Sequence, residues 1–162
     1  MRKQKGFSLI ELLIVVAIIL IIAAIAIPNL LRARMAANES SAVASVRTIN
    51  TGMVTYNSSY PTVGFATALP NLAGASPCTP SSVTACLIDN VLGTGTKSGY
   101  NFLAAGSGGN PQVQYTAAGT PVTLNQTGNR SFCSFEDAVV RVDPAGGAIA
   151  AGACAALLPL NQ

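Results

Sequence analysis

The sequence predicts an α+β fold in which one long amino-terminal helix packs on a small antiparallel sheet of three or four strands. Three observations predict it. Residues 7–27 form an almost uninterrupted apolar run, and residues 29–57 continue with apolar side chains at helical spacing. The second half of the chain holds short β-prone segments between glycine-rich turns. The apolar stripe of the helix and the apolar face of the sheet each need cover, so we expect them to pack together.

The first element is a short basic leader, residues 1–6, which ends at Gly6. An ordinary secretory signal has its cleavage site after the apolar run. Here the plausible cleavage point, between Gly6 and Phe7, precedes that run. Cleavage there would remove the leader and keep an apolar helix over residues 7–28, so we expect that helix to act in the mature protein.

The apolar segment is long enough to cross a membrane. A bilayer core about 30 Å thick needs roughly 20 apolar helical residues. Phe7–Ile27 supplies that length and offers no polar stripe. The basic leader places the amino terminus on the cytoplasmic side by the positive-inside rule. The new protein is therefore predicted to be anchored by a single span.

Glu11 is the one charge in this segment. A carboxylate inside a membrane span costs a few kcal/mol and usually has a partner. No Lys, Arg or His lies within one helical turn of Glu11 after the leader. The amino group that cleavage would create on Phe7 of a neighbouring subunit could reach it in a staggered helix pair. A Glu11 that reaches the membrane edge or is protonated is the alternative.

The second half of the helix is predicted over residues 29–59. Pro28 lacks a backbone donor, so a kink or local break is expected there. Beyond it, apolar residues recur at steps of three and four, while the positions between them are mostly polar. The residues of this stripe are Val43, Val46, Ile49 and Met53. We interpret the stripe as ordinary core packing against a folded head formed by residues 29–162.

The rest of the chain is predicted to be a connecting loop, residues 60–98, followed by the sheet and a carboxy-terminal loop, residues 99–162. Pro, Gly, Ser and Thr are frequent in the first part. The apolar segment 145–160 is interrupted by Gly and Pro, so we interpret it as a packed loop rather than a second span. The strand candidates are Gly99–Ala104, Val113–Ala117, Arg130–Ser134 and Val139–Val142.

All four cysteines lie after the apolar segment. An even number in an exported domain suggests disulfides, although four cysteines allow three pairings. We favour Cys78–Cys86 and Cys133–Cys154, because each pair closes a local loop. A metal site is the alternative, but the sequence has neither a C-x-x-C motif nor a histidine.

Composition argues against several classes of function. The chain has nine Lys and Arg and six Asp and Glu, and loss of the three leader cations leaves six of each. The mature protein is thus formally neutral, and no nucleic-acid partner is predicted. Without histidine, Ser-His-Asp and Cys-His catalysis is excluded, and no enzyme is predicted. The only acidic cluster is a weak calcium candidate, although a solvated turn is the commoner role for such residues. It consists of Glu136, Asp137 and Asp143.

Residues 5–12, KGFSLIEL, resemble the class III signal of type IV prepilins and of the pseudopilins of type II secretion systems. Gly6, Phe7 and Glu11 match that motif position for position. The resemblance implies that a prepilin peptidase cuts between Gly6 and Phe7 and N-methylates Phe7. It also implies that Glu11 neutralises the amino terminus of an adjoining subunit during filament assembly, and that the fold is the pilin fold.

Within this superfamily the resemblance favours a type IV major pilin. Residues 115–123 and 127–132 resemble the head-domain strands of certain bacterial pilins, and Cys133–Cys154 would correspond to the loop that such pilins close with a disulfide near the carboxy terminus. The implied protein forms a homo-oligomeric helical filament, has no cofactor, and depends on inner-membrane assembly machinery. It lies in the inner membrane, with the lipid bilayer as its partner, before assembly, and in an extracellular or periplasmic filament afterwards. A pseudopilin of a type II secretion system is the alternative. A minor pilin or an anchored domain that does not polymerise is a third possibility.

Overall fold

The computed structural model describes residues 7–150 and 152–160. Its largest element is the 51-residue helix α1, Leu9–Ser59. A four-residue helix, α2, spans Asn90–Gly93, and 3₁₀ turns span Leu69–Leu72 and Ala153–Ala156. The strands are β1 (Thr96–Lys97), β2 (Tyr100–Ser107), β3 (Gln114–Pro121), β4 (Ser131–Phe135), β5 (Arg141–Asp143) and β6 (Leu158–Pro159). A long helix and an antiparallel sheet confirm the predicted α+β class.

The chain divides into two compact units, the first ending at Arg34 and the second beginning at Met35. In the first unit the described residues are almost entirely helical, and nearly all of their side chains are exposed. The helix continues through Pro28, so the local break that we considered there does not occur. The folded head is the second unit, which begins at Met35 rather than at residue 29.

Within the part of the head that the structure describes, the sheet has six strands rather than the three or four that we predicted. All neighbours are antiparallel and follow chain order from β1 to β6. The two additional strands, β1 and β6, lie at the edges and have only two residues each. Two residues are too few to show an alternation of apolar and polar side chains, so the sequence pattern did not reveal them.

The four predicted strands correspond to β2, β3, β4 and β5, with shifted ends. Strands β2 and β3 are longer than predicted because their pairing continues through small and polar residues, from Tyr100–Pro121 to Ser107–Gln114. Glycine and proline had suggested turns inside this stretch. Pairing with a neighbouring strand outweighs such local preferences.

One core lies between the helix and the sheet. Buried helix residues recur at steps of four and three, a spacing that keeps them on one face. Val46, Ile49 and Met53 are fully buried, as predicted. Val43, the fourth residue of the predicted stripe, is only partly buried, and Ala42 beside it is buried instead. Gly119 of β3 leaves room for the Phe102 ring in this core, because a Cβ at residue 119 would lie 2.9 Å from that ring. The sheet contributes Tyr100, Phe102, Ala104, Tyr115, Ala117 and Phe132.

A smaller apolar cluster covers the opposite face of the sheet. Ala118 and Cys133 pack there with Ile149 and Cys154, which belong to the segment after β5. A disulfide joins Cys133 to Cys154, with their Cα atoms 5.9 Å apart. This segment was predicted as a packed loop, but it forms a 3₁₀ turn and then β6, which pairs with β5.

The predicted connecting loop, residues 60–98, also contains local structure. It includes the first 3₁₀ turn, α2 and β1. Asp89 precedes α2, and its Oδ1 accepts a hydrogen bond from the Leu92 N–H at 2.9 Å, as a helix N-cap does. A disulfide joins Cys78 to Cys86, with their Cα atoms 6.1 Å apart. Both disulfides are the pairs that the sequence favoured.

Candidate functional site

Glu11 lies in the first turn of α1 and acts as a cap within its own chain. The backbone N–H of Ser8 donates a hydrogen bond to Glu11 Oε2 at 3.0 Å. Ser8 directly precedes the helix, so this contact is one half of a capping box. The S-x-x-E pattern of residues 8–11 could have revealed this role, but we had considered Glu11 only as a charge. The cap occupies one carboxylate oxygen of Glu11.

The surroundings of Glu11 are apolar and exposed in the single chain. Leu9 and Ile10 are 75% and 64% exposed, and Leu12 and Leu13 are more than half exposed. None of the ion pairs among the described residues includes Glu11. If these apolar side chains became covered, a carboxylate among them would need a cation, because an unpaired buried charge is costly.

Helix α1 is the one described helix that is long and apolar enough to cross a membrane, judged by its length and composition. None of the most apolar stretch of this helix is buried within the protein. Core helices of soluble proteins satisfy the same criterion while mostly buried, so exposure distinguishes this helix from them. The apolar half of α1 therefore needs lipid or other protein around it.

Gly6, Phe7 and Pro28 are the other residues predicted to act in this segment. Gly6, the residue before the predicted cleavage point, lies outside the described residues. Phe7 lies two residues before the start of α1 and is 76% exposed. A kink at Pro28 remains a prediction, as do the cleavage and the N-methylation of Phe7.

The calcium candidates are not brought together. Glu136 Oε1 accepts the backbone N–H of Tyr115 at 3.0 Å, and Asp143 Oδ1 accepts that of Ala145 at 3.0 Å. Asp137 pairs with Arg141, whose hydrogen bonds lower the pKa of the Asp137 carboxyl. Within residues 7–150 and 152–160, no three His, Cys, Asp or Glu side chains group as metal ligands would. Each of the three carboxylates stabilises a separate local contact.

A buried polar network joins the helix to the sheet in the head. Asn50 Nδ2 donates to Ser134 Oγ at 2.9 Å, and the Tyr115 hydroxyl donates to Asn50 Oδ1 at 3.3 Å. Burial, and next the charge of Glu136, raise the pKa of Tyr115 to about 12. Because these groups satisfy one another, they stabilise one axial position of the helix against the sheet.

The outward face of the helix in the head carries hydroxyl groups whose donors are already satisfied. Each of these hydroxyls donates to the carbonyl four residues earlier, at 2.8–3.1 Å. A small side chain with a satisfied hydroxyl can contact another surface without an unpaired donor. The residues are Thr48, Thr51, Thr55 and Ser58.

The amino-terminal end of α1 is apolar and exposed, with Glu11 as the acidic residue of its first turn. Residues 1–27 match the prokaryotic N-terminal methylation motif. The chain is 68% identical over 40 residues to the type IV wide pilus major component PilA4 of Thermus thermophilus. The matched region is 25% of this chain and 30% of that protein.

Other relatives match over similarly short regions. The type II secretion system core protein G of Vibrio cholerae is 40% identical over 65 residues, 38% of this chain and 44% of that protein. The type IV major pilin protein PilA of Myxococcus xanthus is 43% identical over 54 residues, 33% of this chain and 24% of that protein. The chain thus spans less than half of the length of these relatives. No solved structure matches the chain.

Proposed function

We propose that this chain is a structural subunit of a type IV pilus, held in the inner membrane and polymerised through its amino-terminal helix. The observation that carries the proposal is Glu11, a carboxylate without a cationic partner among the described residues, in an apolar helical segment whose side chains are exposed. The sequence similarity to pilus components supports the same function.

The apolar half of α1 serves both to hold the subunit in the membrane and to assemble the filament, because lipid and neighbouring helices can each cover it. Before assembly, the bilayer covers the apolar side chains, with the amino terminus on the cytoplasmic side. On assembly, the helices of neighbouring subunits replace the lipid. This exchange of one apolar environment for another gains little hydrophobic free energy, so packing and Glu11 must supply the specificity.

In this proposal a prepilin peptidase removes residues 1–6 and N-methylates Phe7. The new amine of one subunit then pairs with Glu11 of the next. Their attraction grows as water is excluded, which favours the correct axial position of one subunit against its neighbour. Inner-membrane assembly machinery extracts the subunit, and the filament becomes extracellular or periplasmic. The chain acts structurally, and no enzymatic activity is assigned to it.

A pseudopilin of a type II secretion system is the second candidate. The similarity to core protein G of Vibrio cholerae supports it, and the same amino-terminal motif serves both classes. The two disulfides and the separated carboxylates at Glu136, Asp137 and Asp143 favour the pilus, because calcium would need those carboxylates together. A minor pilin or an anchored domain that does not polymerise is the third candidate.

Electron microscopy of sheared cell-surface material, labelled with antibody to this chain, tests the proposal. We expect fibres labelled along their length. Labelling at the tips alone would indicate a minor pilin. If fibres are absent and deletion of the gene blocks the release of folded exoproteins, the chain is a pseudopilin and the proposal is wrong.

A further inference from the structure

The charges of the head leave unpaired groups of opposite sign. Three ion pairs form among the described residues, Lys97–Asp89, Arg130–Glu39 and Arg141–Asp137. Among the described residues, every cationic side chain that forms no ion pair lies on α1. Two of the anionic side chains that form no ion pair lie on or beside the sheet. The cations are Arg32, Arg34 and Arg47, and the two anions are Glu136 and Asp143.

Arg47 is the one of these cations in the head, and it lies between two surface hollows. It is exposed on α1 and lines both hollows together with Ala138. Val54 contributes to one hollow, and Val139 and Leu160 contribute to the other. A carboxylate that entered here would lose water against apolar walls, which strengthens its attraction to the guanidinium.

Glu136 offers the complementary group. It is exposed and lines a third hollow with Thr116 and Cys154. Its Oε1 accepts the Tyr115 N–H, which holds the carboxylate in place, while Oε2 accepts no hydrogen bond from the described residues. Asp143 is less suitable, because it is only half-exposed and a turn N–H already occupies its Oδ1.

The hollows beside Arg47 and the hollow beside Glu136 are lined by different residues. Arg47 belongs to the helix, which packs on the face that carries Tyr115 and Ala117. The Glu136 hollow includes Cys154, which belongs to the apolar cluster on the other face. Among the described residues, no ion pair joins Arg47 to Glu136 within one chain. Two copies can join them, and a contact between different surfaces of identical subunits repeats into an open filament or a ring.

We propose that Arg47 of one copy of this chain pairs with Glu136 of a second copy. This interface rests on the proposed function, because the filament is what brings the copies together. It adds a contact between heads to the contact between Glu11 and the amino terminus. It fixes which face of one head meets its neighbour, since like charges at this position would repel.

Charge exchange in the full-length chain tests the interface. Arg47→Glu and Glu136→Arg should each reduce the yield of sheared fibres about tenfold, and the double variant should recover most of that loss. Asp143→Arg is the matched control, and it should not rescue Arg47→Glu. Glu136→Gln keeps an acceptor for the Tyr115 N–H, so a loss of fibres in this variant reports the charge rather than the fold of the head.

Cross-linking supplies a second measurement. A chain with Arg47→Cys and Glu136→Cys should give a ladder of oligomers from oxidised fibres on a non-reducing gel, whereas Arg47→Cys with Asp143→Cys should not. Normal fibre yield in both single variants, or a double variant that forms no more fibres than either single variant, overturns the interface. The proposed function stands in that case as long as the wild type forms fibres. If the wild type forms no fibres, the proposed function fails and the interface fails with it.

Discussion

Arg130 donates two hydrogen bonds to one oxygen of Glu39, from Nε at 2.9 Å and from Nη2 at 2.6 Å. Glu39 lies on α1, and Arg130 directly precedes β4, 91 residues later. The other oxygen of Glu39 accepts the Asn129 N–H at 2.9 Å. The Glu39 side chain is 11% exposed, so the pair is largely shielded from water on that side. It ties the helix to the loop between β3 and β4.

Replacing Arg130 with methionine should destabilise the head by about 1–3 kcal/mol, because Glu39 would remain largely buried without its cation. The measurement is urea unfolding of the detergent-solubilised full chain, followed by near-ultraviolet circular dichroism. The matched control is Lys97→Met, which removes the more exposed pair with Asp89 and should cost less than about 1 kcal/mol. Equal losses in the two variants would contradict the importance of the Glu39 pair.

The buried tyrosines should make the head sensitive to strong alkali. Burial raises the pKa of Tyr100 and of Tyr115 to about 12, with the charges of Glu39 and Glu136 adding to the effect. The unfolded chain loses these protons near pH 10 while the folded chain keeps them, so the stabilisation is complete below pH 10 and is lost as pH rises toward 12.

Ultraviolet titration of the phenolate absorbance checks this expectation. Tyr100 and Tyr115 should ionise together with alkaline unfolding, above the ordinary tyrosine pKa of 10.0. The variant Tyr115→Phe should remove one of the late-titrating groups. It should also cost about 1 kcal/mol near neutral pH, because Asn50 loses its hydroxyl partner. Ionisation of Tyr100 and Tyr115 near pH 10, with the head still folded, would contradict the prediction.

The sequence predicted those features that a local pattern encodes. Val46, Ile49 and Met53 follow helical spacing, and that stripe is buried against the sheet. The edge strands β1 and β6 escaped prediction, because two residues carry no period. The Glu39–Arg130 pair joins residues too distant for any local motif to connect. At the candidate site the charge of Glu11 was recognised, but its capping bond to Ser8 was not, although the pattern was visible.

The two disulfides should contribute unequally. Cys133 and Cys154 are fully buried and close a separation of 21 residues, whereas Cys78 and Cys86 are half-buried and close one of eight. Replacing Cys133 and Cys154 with serine should cost about 2–4 kcal/mol, because the longer loop gains more entropy and two hydroxyls enter an apolar cluster. Urea unfolding checks this, with the Cys78/Cys86 double serine variant as the matched control. A larger loss in that control would contradict the ranking.

The two roles of Glu11 can be separated by comparing glutamine with alanine. Glu11→Gln keeps an acceptor for the Ser8 N–H, whereas Glu11→Ala removes both the cap and the charge. If the charge serves assembly, both variants should be cleaved and inserted into the membrane but should form few fibres. Alanine should additionally weaken the first helical turn by about 1 kcal/mol. Immunoblots of processed subunit, membrane fractionation and fibre counts measure these outcomes. Normal fibres in Glu11→Gln would show that assembly does not need the carboxylate charge, and few fibres in Glu11→Ala alone would show that it needs the capping bond.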